Sequence, residues 1–244
     1  MARTPTRQAI RQGHVAEKCR DPQKEYRQAE YGTLPLHFLL THPREVATLT
    51  AEHLWLVGTS MLLAIAIGVP LGILLTRRPR WKALILGSTN VIQTIPSLAL
   101  FGLLLPLPWL GARADRLAIV ALALYALLPI VRNTYVGISG ISAPVREAAT
   151  AMGLTSGQLL WRVELPLGLP VMLAGIRVAA VITIGVATIA AAIGAGGLGE
   201  FIFRGIAMVD NGVILAGAIP AALMALAADL LLSACEKLLV RHRH

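Results

Sequence analysis

The sequence predicts an all-α fold, a polytopic membrane bundle of about five transmembrane helices, and three observations carry that prediction. Only 14% of the 244 residues are charged and 56% are hydrophobic, whereas soluble domains carry about 25% charged residues. The charge is unevenly placed, with eight of the 22 Lys/Arg and five of the 13 Asp/Glu inside residues 1–45. The rest of the chain divides into long charge-free apolar runs, without the alternation that a barrel strand needs, so helices are the spanning form. The same numbers exclude a disordered chain, a collagen-like repeat and a disulfide-stapled miniprotein. Cys19 and Cys235 lie at opposite ends of the chain and offer neither a disulfide framework nor a metal pattern. A net charge of +9 reads as loop topology in a membrane protein rather than as a nucleic-acid surface.

The elements follow in chain order. Residues 1–45 form a basic extension with no apolar h-region, so they are not a secretory signal peptide. They suit a disordered tail or the product of a start that the cell does not use. Residues 46–240 form the membrane domain, and Glu45 to His53 is expected to lie along the interface as an amphipathic lead-in. Five apolar stretches come next. The first runs from Leu54 to Leu75, 22 residues without a charge, and the second from Ala83 to Leu110, interrupted by Pro96, Pro106 and Pro108. The third begins at Leu117 and reaches Ile141 across Arg132. The fourth covers Val171 to Ile193 with Arg177 near its start, and the fifth covers Gly212 to Cys235 with Asp229 near its end. About 20 apolar residues at 1.5 Å per residue cross the hydrocarbon core.

Basic residues set the orientation. Arg77, Arg78, Arg80 and Lys82 follow the first stretch, Arg146 and Arg162 lie between the third and fourth, and Lys237, Arg241 and Arg243 close the chain. The other two connections are nearly neutral. With the basic set inside, five spans place the N-terminus outside and the C-terminus in the cytoplasm. Arg132, Arg177 and Asp229 fall close to cytoplasmic span ends, where long side chains snorkel.

The segment from Ser142 to Pro170 is the most informative. Pro144 suits a first helical turn, Gly153 suits a left-handed C-terminal cap, and Thr155 with Gln158 has capping-box spacing. Leu154 and Leu159 are placed as a hydrophobic staple. A second helix is expected from Gln158 to Leu165, stopping near Pro166. Two short helices then meet at a Gly-centred corner. The apolar group Leu154, Leu159, Leu160 and Trp161 either packs on the bundle or lipid, or docks in the groove of a cytoplasmic partner.

Glu147-Ala148-Ala149, Gly153 four residues on, and Leu165-Pro166 after eleven more resemble the EAA loop of ABC-importer permease subunits. Further segments resemble the osmoprotectant branch of that family: Asn90 to Ser97, Leu128 to Thr134, Ala174 to Arg177 and Ile193 to Gly199. The resemblance covers about residues 50 to 240. It implies the MetI-like permease fold and a multi-pass protein of the bacterial cytoplasmic membrane. It also implies that the loop of residues 142–170 couples to a separate ABC ATPase subunit. Glu147, Ala148, Ala149, Gly153, Leu154, Leu165 and Pro166 would make that coupling. The implied cargo is glycine betaine, choline, carnitine or a related solute. Related branches carry methionine, phosphonates or sulfonates, and only the flanking segments favour osmoprotectants.

The resemblance further implies a second permease subunit, identical or sister, and an extracytoplasmic substrate-binding protein. A quaternary ammonium is usually held by aromatic faces. The 12 aromatic residues do not cluster in the spans, so high-affinity selection is expected in the binding protein. No cofactor, metal or catalytic residue is expected. The chain has no G-x-x-x-x-G-K-[ST], H-E-x-x-H or G-x-S-x-G, and it shows no convergent His, Asp or Ser set for a membrane enzyme. An ion-coupled carrier would place acids deep in the spans.

The expected translocation path lies where polar residues interrupt apolar helices: Asn90, Gln93, Thr94 and Ser97 beside a kink at Pro96, with Thr183 and Thr188 in the fourth span. Helix packing is the competing reading for each Ser and Thr. Eight glycines between Gly185 and Gly217 predict a tight turn at the outer face, open to the binding protein. Close helix packing explains Gly185 and Gly217 equally well.

Overall fold

A computed structural model describes residues 35–241 of the chain, and these are helical throughout apart from short connections. Most of the expected basic extension lies outside the described residues. From Pro35 onward the chain is already folded. Helix α1 (Pro35–Thr41) stacks Phe38 edge-on against Phe201, with ring centroids 5.4 Å apart.

Helix α2 (Pro43–Arg77) follows with proline in its first turn, where the missing N–H costs nothing. The interfacial lead-in expected from Glu45 to His53 is instead the opening of α2. Leu49 and His53 there are buried and Glu45 is ion-paired to Arg204 at 2.8 Å, because a folded neighbour covers this face where the sequence suggested lipid headgroups. A short 3-10 turn (Pro79–Trp81) leads to α3 (Lys82–Thr94) and α4 (Ser97–Leu104), whose axes are bent by 104°. Then come α5 (Pro108–Gly111), α6 (Ala114–Ser139), α7 (Ala143–Ala151), α8 (Ser156–Leu159), α9 (Leu165–Ala190), α10 (Gly199–Met208) and α11 (Asn211–Arg241).

Four stretches among the described residues are long and apolar enough to cross a membrane, five if the bent α3–α4 pair is one span. Helix α6 is the centre, with 67% of its span buried inside the protein against 22% for α11. The main core runs along it, with Leu117, Leu122, Ala126 and Ile130 packed with Leu56, Met61 and Ala64 of α2 and Ala179, Ile184 and Ala187 of α9. Without a strong hydrophobic drive between helices in lipid, such seams depend on close van der Waals fit. Gly175 of α9 supplies one close approach: a Cβ there would lie 2.4 Å from Asn133 Cβ and 2.7 Å from the Pro129 carbonyl oxygen of α6.

Candidate functional site

The loop corner is built by local rules. Helix α7 is capped at Met152, and Gly153 follows with φ +83°, a conformation that glycine adopts most readily. Leu154 N–H donates to the Ala149 carbonyl (3.3 Å) and Gly153 N–H to that of Thr150 (2.9 Å), which is a Schellman closure. The next helix starts at once. Thr155 N–H donates to Gln158 Oε1 (2.9 Å) and Gln158 N–H to Thr155 Oγ1 (3.4 Å), completing the capping box. Glu147, Ala148 and Gly153 are exposed and Ala149 is buried, while Leu154, Leu165 and Pro166 are half-buried. Met152 and Trp161, 74% and 73% exposed, stand out as bare apolar surface.

One expectation fails here. The second helix does not stop near Pro166, because a π turn over Leu160–Glu164 carries the chain directly into α9, with the proline in its first turn. A proline in a first helical turn has no N–H bond to lose there, so the helix continues.

The same turn carries a residue that the sequence reading did not single out. Glu164 is 1% exposed. Its Oε2 accepts from Arg77 Nη2 at the end of α2, and its Oε1 lies 3.1 Å from Arg146 Nε of α7, an ion pair without hydrogen-bond alignment. Two arginines 69 positions apart and a glutamate before Leu-Pro carry no local signal of this convergence.

The break between α3 and α4 falls at Ile95, held extended as the residue before Pro96. The freed Ile95 carbonyl accepts from the Tyr125 hydroxyl of α6, and Gln93 Nε2 donates to the Tyr125 carbonyl at 3.4 Å. Asn90 lines an open cleft of about 440 Å³ together with Lys82, Arg132 and Tyr135. Gln93 lines a second of about 450 Å³ with Arg132, Asn133 and Val178. Arg132 belongs to both clefts, so it faces them as well as lying near a span end. Thr94, with its hydroxyl donating to Val91 O (2.7 Å), and Pro96 are exposed, and Ser97 is half-buried at the start of α4.

The two fourth-span threonines lie elsewhere. Thr183 is wholly buried between α9 and α2, its hydroxyl donating to Ala179 O (2.7 Å), and Thr188 donates to Gly185 O (2.8 Å). Neither lines these clefts. Arg177, expected near a span end where long side chains snorkel, pairs with Asp229 at 3.4 Å and Glu236 at 3.8 Å across α9 and α11.

The glycine turn exists, with Gly194, Gly196 and Gly197 at positive φ, but residues 196–199 are buried. Gly197 N–H donates to Glu52 Oε2 (3.1 Å), and the buried His53 Nε2 sits 3.2 Å from Ile184 O. Residues 196–199 therefore pack against α2, while Gly194 of the same turn is exposed. A Cβ on Gly217 would meet Leu198 O at 2.6 Å, whereas one on Gly185 would meet nothing within 4 Å. Close packing explains the first and not the second.

Residues 68–243 match the family described as binding-protein-dependent transport system inner membrane component. The chain is 46% identical over 200 residues to the osmoprotectant import permease protein OsmW of Salmonella typhimurium, covering 81% of this chain and 93% of that one. It is 39% identical over 200 residues to the glycine betaine/carnitine/choline transport system permease protein OpuCB of Bacillus subtilis (82% and 91%). It is 48% identical over 190 residues to the choline transport system permease protein OpuBD of the same organism (77% and 82%). Among solved structures, an inward-facing MetNI methionine ABC transporter chain superposes with a TM-score of 0.64 at 27% identity, covering 82% of this chain and 97% of that one. The chain thus belongs to the family of binding-protein-dependent transport system inner membrane components, and its fold is that of their ABC-transporter permeases.

Proposed function

We propose that this chain is the permease subunit of an ABC importer that moves osmoprotectants such as glycine betaine, choline and carnitine across the bacterial cytoplasmic membrane. A separate ABC ATPase drives it, an extracytoplasmic binding protein delivers the solute, and a second permease subunit, identical or sister, completes the path. The coupling loop of residues 142–170 and the C-terminus face the cytoplasm, as the basic connections favour.

The observation that carries the reading is the ordered corner at Gly153. A Schellman closure and a capping box back to back fix the angle between two short helices, and Met152 and Trp161 beside it offer apolar side chains to a groove. A fixed corner transmits a push from the ATPase into α9, whereas a floppy loop would absorb it. Glu147 and Ala148 are exposed on the same segment and complete the docking face. The clefts around Asn90, Gln93, Arg132 and Asn133 line the route taken by the solute, with the Pro96 break as its hinge. The preference for osmoprotectants over methionine rests on relatives 39–48% identical, against 27% for the methionine transporter.

The test is uptake of labelled glycine betaine, carnitine and choline in cells with and without this subunit, repeated with the ATPase deleted. Uptake lost in both backgrounds supports the assignment. Uptake surviving ATPase deletion refutes the importer reading, and uptake of methionine in place of all three refutes the cargo.

A further inference from the structure

Between residues 143 and 164 the only buried positions are Ala149 and Glu164. Apolar burial therefore does little to fasten this loop to the bundle, and the fastening falls to polar contacts. Those contacts converge on one carboxylate. Glu164 receives Arg77 from the last turn of α2 and stands 3.1 Å from Arg146 of α7. Arg146 in turn donates through Nη2 to the Ile138 carbonyl near the end of α6. Glu164 itself leads directly into α9. Helices α2 and α9 and the loop thus meet at Glu164, and α6 joins them through Arg146.

A buried ion pair is a poor way to add stability, because desolvating the charges offsets most of their attraction. What it supplies is direction: a guanidinium is a rigid planar fork that holds a carboxylate in a fixed geometry. We infer that Glu164 is the positioning residue that clasps the coupling loop to the inner ends of α2 and α6, so that a displacement of the loop reaches those helices as well as α9. The inference rests on the proposed reading that an ATPase drives the loop.

The experiment uses the whole importer, permease with ATPase and binding protein, in proteoliposomes where ATP hydrolysis and solute uptake are read together. Glu164→Gln keeps the shape and removes the charge. It is expected to retain hydrolysis while solute moved per ATP falls about tenfold, the scale of a typical coupling free energy. Glu164→Asp, which keeps the charge, recovers part of the ratio. Arg77→Gln is the second variant, since Arg77 is 39% exposed, glutamine keeps a donor, and Arg146 still faces the carboxylate at 3.1 Å; its melting midpoint is read beside its activities. It is expected to lower the ratio in the same direction. A parallel fall of both activities in Arg77→Gln overturns the clasp, as does an unchanged ratio in either variant.

A parent complex that moves none of the three osmoprotectants refutes the cargo reading instead. The clasp is then judged by spin labels at exposed positions 78 and 150. Their separation is expected to stay constant through the ATP cycle in the parent and to spread in Glu164→Gln. The same spread in both overturns the clasp.

Discussion

Replacing Gly72 by alanine puts a Cβ 2.5 Å from Thr134 Cβ, 2.7 Å from Thr134 Cγ2 and 2.9 Å from the Val131 carbonyl oxygen. Two of these three atoms are a Cβ and a backbone oxygen of α6, neither of which can rotate away. Helix α2 must therefore retreat from α6 by about 1 Å, the gap between these distances and ordinary van der Waals contact at about 3.5 Å. Retreat loosens the seam that Leu56, Met61 and Ala64 share with Leu122, Ala126 and Ile130. Overpacking of this kind costs about 1–3 kcal/mol, and at about 2–4 °C per kcal/mol for a chain of this size the midpoint falls by several degrees. Gly87→Ala is the matched control on α3, because its Cβ meets nothing within 4 Å. There the smaller backbone entropy of alanine stabilises by about 0.5–1 kcal/mol. The assay is thermal unfolding in detergent, followed by size-exclusion recovery after heating. If Gly72→Ala melts with or above Gly87→Ala, the close seam between α2 and α6 is wrong.

Three further outcomes follow from the site. Gly153→Val strains a left-handed position by about 1–2 kcal/mol although a Cβ there has open space. Transport should fall with membrane insertion intact, and Gly153→Asn, which tolerates this conformation better, should retain more; equal uptake in both variants and the parent argues against a coupling corner. Trp161→Ala removes exposed apolar surface, so stability should change by less than about 0.5 kcal/mol while co-purification of the ATPase drops. Undiminished co-purification would sink its docking role. Tyr125→Phe leaves the Ile95 carbonyl without its hydroxyl partner, a loss of about 1–3 kcal/mol for a buried group. Its readout is a lowered melting midpoint, and an unshifted one removes Tyr125 as the brace of the Pro96 break.

What could be read from the sequence was local. The five apolar stretches, the left-handed Gly153 and the Thr155–Gln158 box each depend on residues within one or two turns, and spacing alone reveals them. The partnerships that shape the site are not local. Glu164 meets Arg77 across 87 positions and Gly197 meets Glu52 across 145, and no periodicity announces either. Thr183 and Gln93 look alike as polar interruptions in apolar helices. Only packing assigns one to the core between α9 and α2 and the other to a cleft edge. Pro166 misled for a different reason: the chain runs on through it by way of the π turn, just as α2, α6, α9 and α11 run on through Pro70, Pro129, Pro170 and Pro220.

Helix α2 has 35 residues, about 52 Å at 1.5 Å per residue, so it outreaches a hydrocarbon core of about 30 Å on its own. Glu52 near one end holds the buried glycine turn, and Arg77 at the other holds Glu164. The two membrane faces are accordingly yoked by a single continuous strut. On the proposed reading, a tilt of this helix carries the Glu52 contact with residues 196–199 along with the Arg77–Glu164 contact.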